Sequence, residues 1–215
     1  MEVTAPGVAA IVLAAGASSR MGQPKMLLPI GGGTLLGAVA GALLDAGLGR
    51  VVVVLGCDAE RVRAAAGLRD DPRLRLVVND EWKSGMASSL RRGLEECGEA
   101  GAALVTLGDQ AGLTAERVRR IVSAWRPGVP LVVPVHDGRA GHPVLFDRSL
   151  WDELRALSGD VGGRDVVRRH LDEAVRVPAE PLADLDTQED LRRHLAGSAP
   201  RDSGLQLPGS PRRTG

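Results

Sequence analysis

At 215 residues, 44% hydrophobic and 25% charged, the chain has ordinary globular composition and the length of one substantial domain that buries about 70% of its unfolded surface. Lys plus Arg and Asp plus Glu both number 27, which excludes a global field for nucleic acid or an anionic membrane, so any bound anion must be caught by a local site. Two cysteines without C-x-x-C spacing, and apolar runs well short of the ~20 residues of a membrane span, point to a reduced, soluble, cytoplasmic protein.

The first segment, MEVTAPGVAAIVLAAG, lacks a basic n-region and runs straight into a glycine loop, so no export signal is expected. Short β-branched apolar runs then recur at 8–14, 51–55, 74–78, 102–107 and 131–135. Runs this short and continuous suit strands of a parallel sheet covered on both faces. Helical spacing fills the gaps at Leu35 to Ala46, Ala59 to Leu68, Met86 to Glu96 and Thr114 to Trp125, the last with Thr114 placed to cap at Arg117. This β-then-α alternation predicts a three-layer α/β/α, doubly wound, mostly parallel sheet.

After Pro134 the rhythm loosens into HDGRAGHPVLF, read as a turn and one further strand, followed by helices near Arg148 to Leu157 and Gly163 to Leu171. DLDTQEDLRRHL has Thr187 and Asp190 at capping-box spacing and reads as a helix start. From Gly197 the composition is rich in Gly, Pro, Ser and Arg with little to bury. Residues 1–196 are therefore expected to form a single domain and 197–215 a disordered tail.

The stretch LAAGASSRMGQPK, Leu13 to Lys25, sits where a buried strand gives way to a helix, and glycines there let backbone N–H groups approach an anion. Its spacing excludes two familiar phosphate loops. Gly16 and Gly22 have five residues between them in place of the Walker four, with Gln23-Pro24 before Lys25, and Gly16 is followed by Ala17-Ser18, which breaks G-x-G-x-x-G. A plain βα turn remains the alternative at this point. The four histidines show no zinc spacing, and no Gly-x-Ser-x-Gly elbow occurs, which sets aside metalloprotease and α/β-hydrolase chemistry.

LAAGASSRMGQPKMLLPIGGGTLL resembles LAAGxSxRMGxxKxLLPxxGxxLL, the N-terminal signature of the MobA-like nucleotidyltransferases, especially the molybdenum cofactor cytidylyltransferase (MocA-like) branch. The resemblance continues through NDEWKSGMASSLRRGL, LVTLGDQ, GHPVLF, LSGDVGGRDVV and DLDTQEDL, over about residues 8 to 195. One departure is Ala111, where the family usually has proline after GDQ, and this change is expected to loosen that turn. The resemblance implies a Rossmann-like fold and an Mg²⁺-dependent enzyme that moves CMP from CTP to the phosphate of a molybdopterin-type cofactor, releasing pyrophosphate. A molybdenum hydroxylase would receive the product, and neither nucleic acid nor membrane is an expected partner. Ala15 in LAAG, where guanylyl-transferring relatives have LAGG, favours cytidine. The alternatives are another nucleoside triphosphate, a sugar-phosphate acceptor, or a non-catalytic chaperone that delivers the cofactor.

Such a transfer needs no side-chain nucleophile, because the acceptor phosphate is already an anion; alignment and charge neutralisation do the work. Arg20 offers a fork for two phosphate oxygens and Lys25 a point charge, and with Asp109 they form the expected catalytic set. The resemblance implies that Asp109 of GDQ and Asp186 of DLDT hold Mg²⁺. It implies nucleotide binding by Leu13, Ala14, Ala15, Gly16, Arg20, Lys25, Asn79, Asp80, Gly85 and Ser88, with Gly85 permitting close approach. On the acceptor side it implies Trp82, Ser89, His142 and Arg164. The serines of the Met86 to Glu96 helix are expected to cap it and to point N–H groups at phosphate.

Overall fold

In the computed structural model, which describes residues 7–17 and 24–184, the β-branched runs form a central sheet. Its strands are β1 (Val8–Ala14), β2 (Arg50–Leu55), β3 (Leu74–Val78), β4 (Ala102–Leu107), β5 (Leu131–His136), β6 (Arg139–Ala140), β7 (Val144–Asp147) and β8 (Val175–Pro178). The helices are α1 (Leu35–Asp45), α2 (Ala59–Ala65), α3 (Met86–Glu95), α4 (Ala115–Ser123), α5 (Trp151–Arg155) and α6 (Arg164–Arg169). Strand order is β8-β5-β7-β4-β1-β2-β3, with β6 paired to β5. The pairs β1–β2, β1–β4, β2–β3 and β5–β8 are parallel, while β7 runs antiparallel to both β4 and β5. The predicted doubly wound, mostly parallel sheet is therefore what forms.

The chain steps outward from β1 to β2 and β3, then returns past β1 to β4. Right-handed crossovers put helices made on the outward steps on one face and the returning helix on the other. The packing of α1, α2 and α3 follows that rule, and α4 joins α1 and α2. Val8, Ala10, Val12 and Ala14 of β1 pack with Leu36, Val39 and Leu43 of α1, Val62 of α2 and Ile121 of α4. The alternate residues Ala9, Ile11 and Leu13 pack with Leu90 and Leu94 of α3, Leu154 of α5 and Val166 of α6. Aliphatic chains dominate both cores, each worth roughly 1.5–3 kcal/mol when fully buried. The aromatics Phe146 and Trp151, each 1% exposed, sit on the α3 face.

Local chemistry sets the helix ends. Thr34 Oγ1 accepts from the Gly37 amide at 3.0 Å and also donates to the Ala66 carbonyl, tying α1 to the end of α2. Thr114 accepts from the Arg117 amide at 3.2 Å, as its spacing predicts. Helix α2 stops at Ala65, short of the expected Leu68, because Gly67 turns left-handed at φ +60°. The helix expected near 148–157 begins as a 3₁₀ turn, Arg148–Leu150, whose first amides Asp147 caps through Ser149. Two short strands, β6 and β8, add to the single one expected after Pro134; neither is long enough to show a period. The proposed tail and the helix start at Thr187 lie outside the described residues. Among the described residues no helix is long and apolar enough to cross a membrane.

The sequence of crossovers leaves β2 on one side of β1 and β4 on the other. At that reversal of strand order a crevice opens beyond the carboxyl ends of β1 and β4.

Candidate active site

A cleft of about 180 Å³ occupies this crevice. Leu13, Ala15 and Gly16 line it from the exit of β1, and Leu107 and Asp109 from the exit of β4. Trp82, Gly85, Met86 and Ser89 line it from the β3–α3 connection, while Met26 and Asp160 complete it. Three motifs far apart in sequence thus meet at one sheet edge.

Lys25 opens a 3₁₀ turn, Lys25–Leu27, that carries the chain down towards α1. It is 9% exposed, and its ammonium lies 3.6 Å from the Asp109 carboxylate. A cation this buried is tolerated only with an opposing charge. Asp109 stays accessible, with its side chain 24% exposed. Behind it, the hydroxyl of the buried Thr106 donates to Gln110 Oε1 at 3.3 Å, pinning the β4 exit. Gln110–Ala111 pairs antiparallel with Ala183–Asp184, so the far end of the described chain returns beside Asp109. Ala111 is 2% exposed within that ladder, so pairing and burial fix the turn where the family's proline is missing. Arg20 and Asp186 lie outside the described residues.

The Asn79–Ser89 segment is organised internally. Asn79, 5% exposed, donates from Nδ2 to Ser88 Oγ at 2.8 Å and Ser89 Oγ at 3.0 Å, and its Oδ1 accepts from the Glu81 amide. Ser88 in turn donates to the Gly85 carbonyl at 2.8 Å. Asn79 and Ser88 therefore shape this wall from behind, while Ser89 lines it. Trp82 is partly buried at the cleft, with the Lys83 ammonium 5.5 Å from its ring centroid.

Gly85 has φ +110°, and a Cβ there would sit 2.2 Å from the Gly159 carbonyl carbon and 2.5 Å from the Asp160 nitrogen. The close approach that demands glycine is thus made by another loop of the chain. That loop also claims the start of α3: the Met86 amide donates to Asp160 Oδ1 at 3.4 Å and the Ala87 amide to the Gly159 carbonyl at 3.2 Å. The Ser88 amide donates to the Gly85 carbonyl. The expectation that this helix start points N–H groups at phosphate is corrected, since its first three amides are engaged within the protein.

Other expected residues fall around the cleft. Ala14 is buried beneath it, and the Ala15 carbonyl accepts from the Cys57 amide at 3.1 Å, fastening the LAAG backbone to the β2 exit. Asp80 is exposed on the β3–α3 connection, outside the lining. His142 is half-buried just before β7, on the same sheet edge, and its carbonyl accepts from the Arg117 guanidinium at 3.3 Å. Arg164 is exposed at the first residue of α6. Neither lines the cleft. Sequence reasoning missed Met26, Leu107 and Asp160. The first two are ordinary apolar positions with no distinguishing signal. Asp160 had one, as the only carboxylate inside the glycine-rich run SGDVGG.

Compared with known proteins, residues 10–175 match the MobA-like NTP transferase domain. The chain is 36% identical over 206 residues to nicotine blue oxidoreductase of Paenarthrobacter nicotinovorans, covering 88% of this chain and 97% of that one. It is 27% identical over 187 residues to molybdenum cofactor cytidylyltransferase of Escherichia coli K12, covering 84% and 91%. The crystal structure of Rv0371c from Mycobacterium tuberculosis H37Rv superposes with a TM-score of 0.77 at 34% identity, over 89% of this chain and 99% of that one. The same protein is known in complex with manganese, with a TM-score of 0.69 at 30% identity over 88% and 98%.

Proposed function

The chain belongs to the MobA-like NTP transferase family, and from that premise we propose that it is a cytoplasmic cytidylyltransferase acting on a molybdopterin-type cofactor. CMP passes from CTP to the cofactor's terminal phosphate, pyrophosphate leaves, and the product goes to a molybdenum hydroxylase. The observation that carries the reading is the Lys25–Asp109 pair, a buried cation and an accessible carboxylate 3.6 Å apart at the crevice between β1 and β4. The likeness to a molybdenum cofactor cytidylyltransferase supports the choice of substrates.

In this reading the acceptor phosphate attacks the α-phosphorus directly, so the protein's task is alignment and charge. The backbone from Leu13 to Gly16 receives the nucleotide, and Arg20 and Lys25 lie along its phosphates. Trp82, Met86 and Ser89 wall the acceptor side, with Asn79 and Ser88 holding that wall in place. A divalent cation fits the donors present, because Asp109 brings a hard carboxylate oxygen to the cleft. Asp109, with Asp186, would hold Mg²⁺, which when bound neutralises charge on the phosphates. The manganese complex of the relative Rv0371c supports a metal here. Pyrophosphate release from each nucleoside triphosphate, with purified molybdopterin as acceptor, tests the reading. CTP alone should support turnover; binding of CTP and cofactor without turnover at saturating Mg²⁺ would favour a delivery chaperone.

The 36% identity to nicotine blue oxidoreductase favours a second reading. In it, the Trp82–Met86 wall receives a planar heteroaromatic that is reduced by two electrons and a proton from an added hydride donor of the reduced-nicotinamide class, which is oxidised in turn. A change in nicotine blue absorbance without pyrophosphate release would select it.

A further inference from the structure

We propose that Asp160 is a specificity-determining residue that keeps phosphate off the start of α3 and reserves that side of the cleft for an uncharged part of the ligand bearing N–H or O–H donors. A ten-residue helix opening beside a nucleotide cleft is a natural anion site, since its first amides and its dipole both favour negative charge. Here that place is taken. The carboxylate of Asp160, 74 residues further along the chain, accepts from the Met86 amide, and Gly159 and Gly85 carbonyls accept from the next two.

The turn is held against α3 from a second point. The Arg91 guanidinium donates to the Leu157 carbonyl at 3.1 Å and to Arg155 at 3.4 Å, fixing the approach to Gly159. Asp160 is nevertheless exposed and lines the cleft, so its negative charge faces any ligand. A phosphate brought there meets like charge and finds the first three amides engaged. A ring N–H or a hydroxyl finds an acceptor. The nearby lining, Trp82 and Met86, suits a flat and largely apolar group. Phosphates are thereby left the opposite side, where Lys25 stands beside the Asp109 that would hold a divalent cation, a direction that rests on the transferase reading.

The test reads the helix start itself and needs no turnover, so its failure is separable from failure of that reading. Inorganic phosphate is titrated into ¹⁵N-labelled protein and the Met86 and Ala87 amide resonances are followed. The parent should show no saturable shift at these amides. Asp160→Asn, which removes the charge and leaves the Met86 amide only a neutral acceptor that phosphate can displace, should show saturable shifts at these amides. Asp160→Glu should behave as the parent. If Asp160→Asn folds poorly, Asp160→Ser serves in its place. Saturation in the parent at the same affinity, or none in either neutral variant, overturns the proposal.

Discussion

Replacing Gly85 by alanine separates two reasons why glycine could stand at that position. If it were there to admit a nucleotide, alanine would weaken binding and leave the fold alone. The geometry instead puts a new Cβ 2.2–2.5 Å from the backbone of Gly159 and Asp160, where no flexible side chain can yield. The turn must move off α3, losing the contacts from Met86 and Ala87, each worth about 0.5–1.5 kcal/mol. Holding alanine at φ +110° adds strain of about 1–2 kcal/mol. The sum is roughly 2–5 kcal/mol, which for a domain of this size lowers Tm by about 5–15 °C. Thermal unfolding followed by circular dichroism measures it, with CTP affinity measured in parallel below the transition. A Tm within about 1 °C of the parent, beside weakened CTP binding, would refute the reasoning.

Lys25→Ala removes a charge contact worth about 4 kcal/mol before desolvation at an effective dielectric of ~20, so pyrophosphate release at saturating CTP should fall roughly 10³-fold. Retention of more than about a tenth of parental turnover would take Lys25 away from the phosphates. Gly93→Ala drives a Cβ to 2.5 Å from Ile11 Cγ2 and should cost about 1–3 kcal/mol of unfolding free energy, measured by urea titration, while leaving the cleft's residues in place. Burial pushes the Cys97 thiol up to about 12, so a thiol reagent at mildly alkaline pH should label half-exposed Cys57 first and Cys97 only on unfolding. Because unfolded Cys97 loses its proton near 9.0 and the folded thiol keeps it, stability should fall as pH rises above that value. Burial lowers the His170 pKa, but hydrogen bonds to Glu153 and Glu173 outweigh it and hold it above 6.5. Its contribution to stability is complete below 6.5 and lost as pH rises through the folded value. An NMR titration of the imidazole should show this, with a downward shift in Glu153→Gln.

The strands were legible because a sheet covered on both faces needs continuous apolar runs, and VVVVL or AALVTL can hardly be anything else in a chain this polar. The main helices were legible from their spacing, and their ends only where a threonine caps; the spacing carries α2 past the glycine turn at Gly67 that ends it. That the strand exits share one cleft was legible for a related reason. Leu13, Ala15, Gly16 and Asp109 sit directly at strand exits, and topology alone carries strand exits to the crevice. Asn79 and Ser88 carry nothing local that separates a ligand contact from the hydrogen bonds they make inside the wall. A serine in the first helical turn has the same sequence signature whether its hydroxyl faces a ligand or a backbone carbonyl. Gly85 is similar: the sequence announces that something approaches closely, while only the fold reveals that the visitor is Gly159.

The same distance along the chain explains why the charge pattern of the cleft could not be read in advance. Lys25 leads into α1 and Asp160 docks on α3, and the reversal of strand order at β1 puts those helices on opposite faces of the sheet. Lys25 is marked by its own motif and Asp160 by its glycine-rich run, but neither segment says that the two share an edge, and the chain as a whole is neutral. Brought to one edge, they give the crevice the Lys25–Asp109 ion pair towards the α1 face and the Asp160 carboxylate towards the α3 face. Under the proposed function a ligand with a phosphate at one end and hydrogen-bond donors at the other can lie across this edge in one direction only. Reversing it sets phosphate against Asp160 and leaves Lys25 facing a neutral group. A nucleotidyl acceptor is a ligand of that kind, so the polarity that the topology creates also selects which end of it reaches the reacting phosphorus.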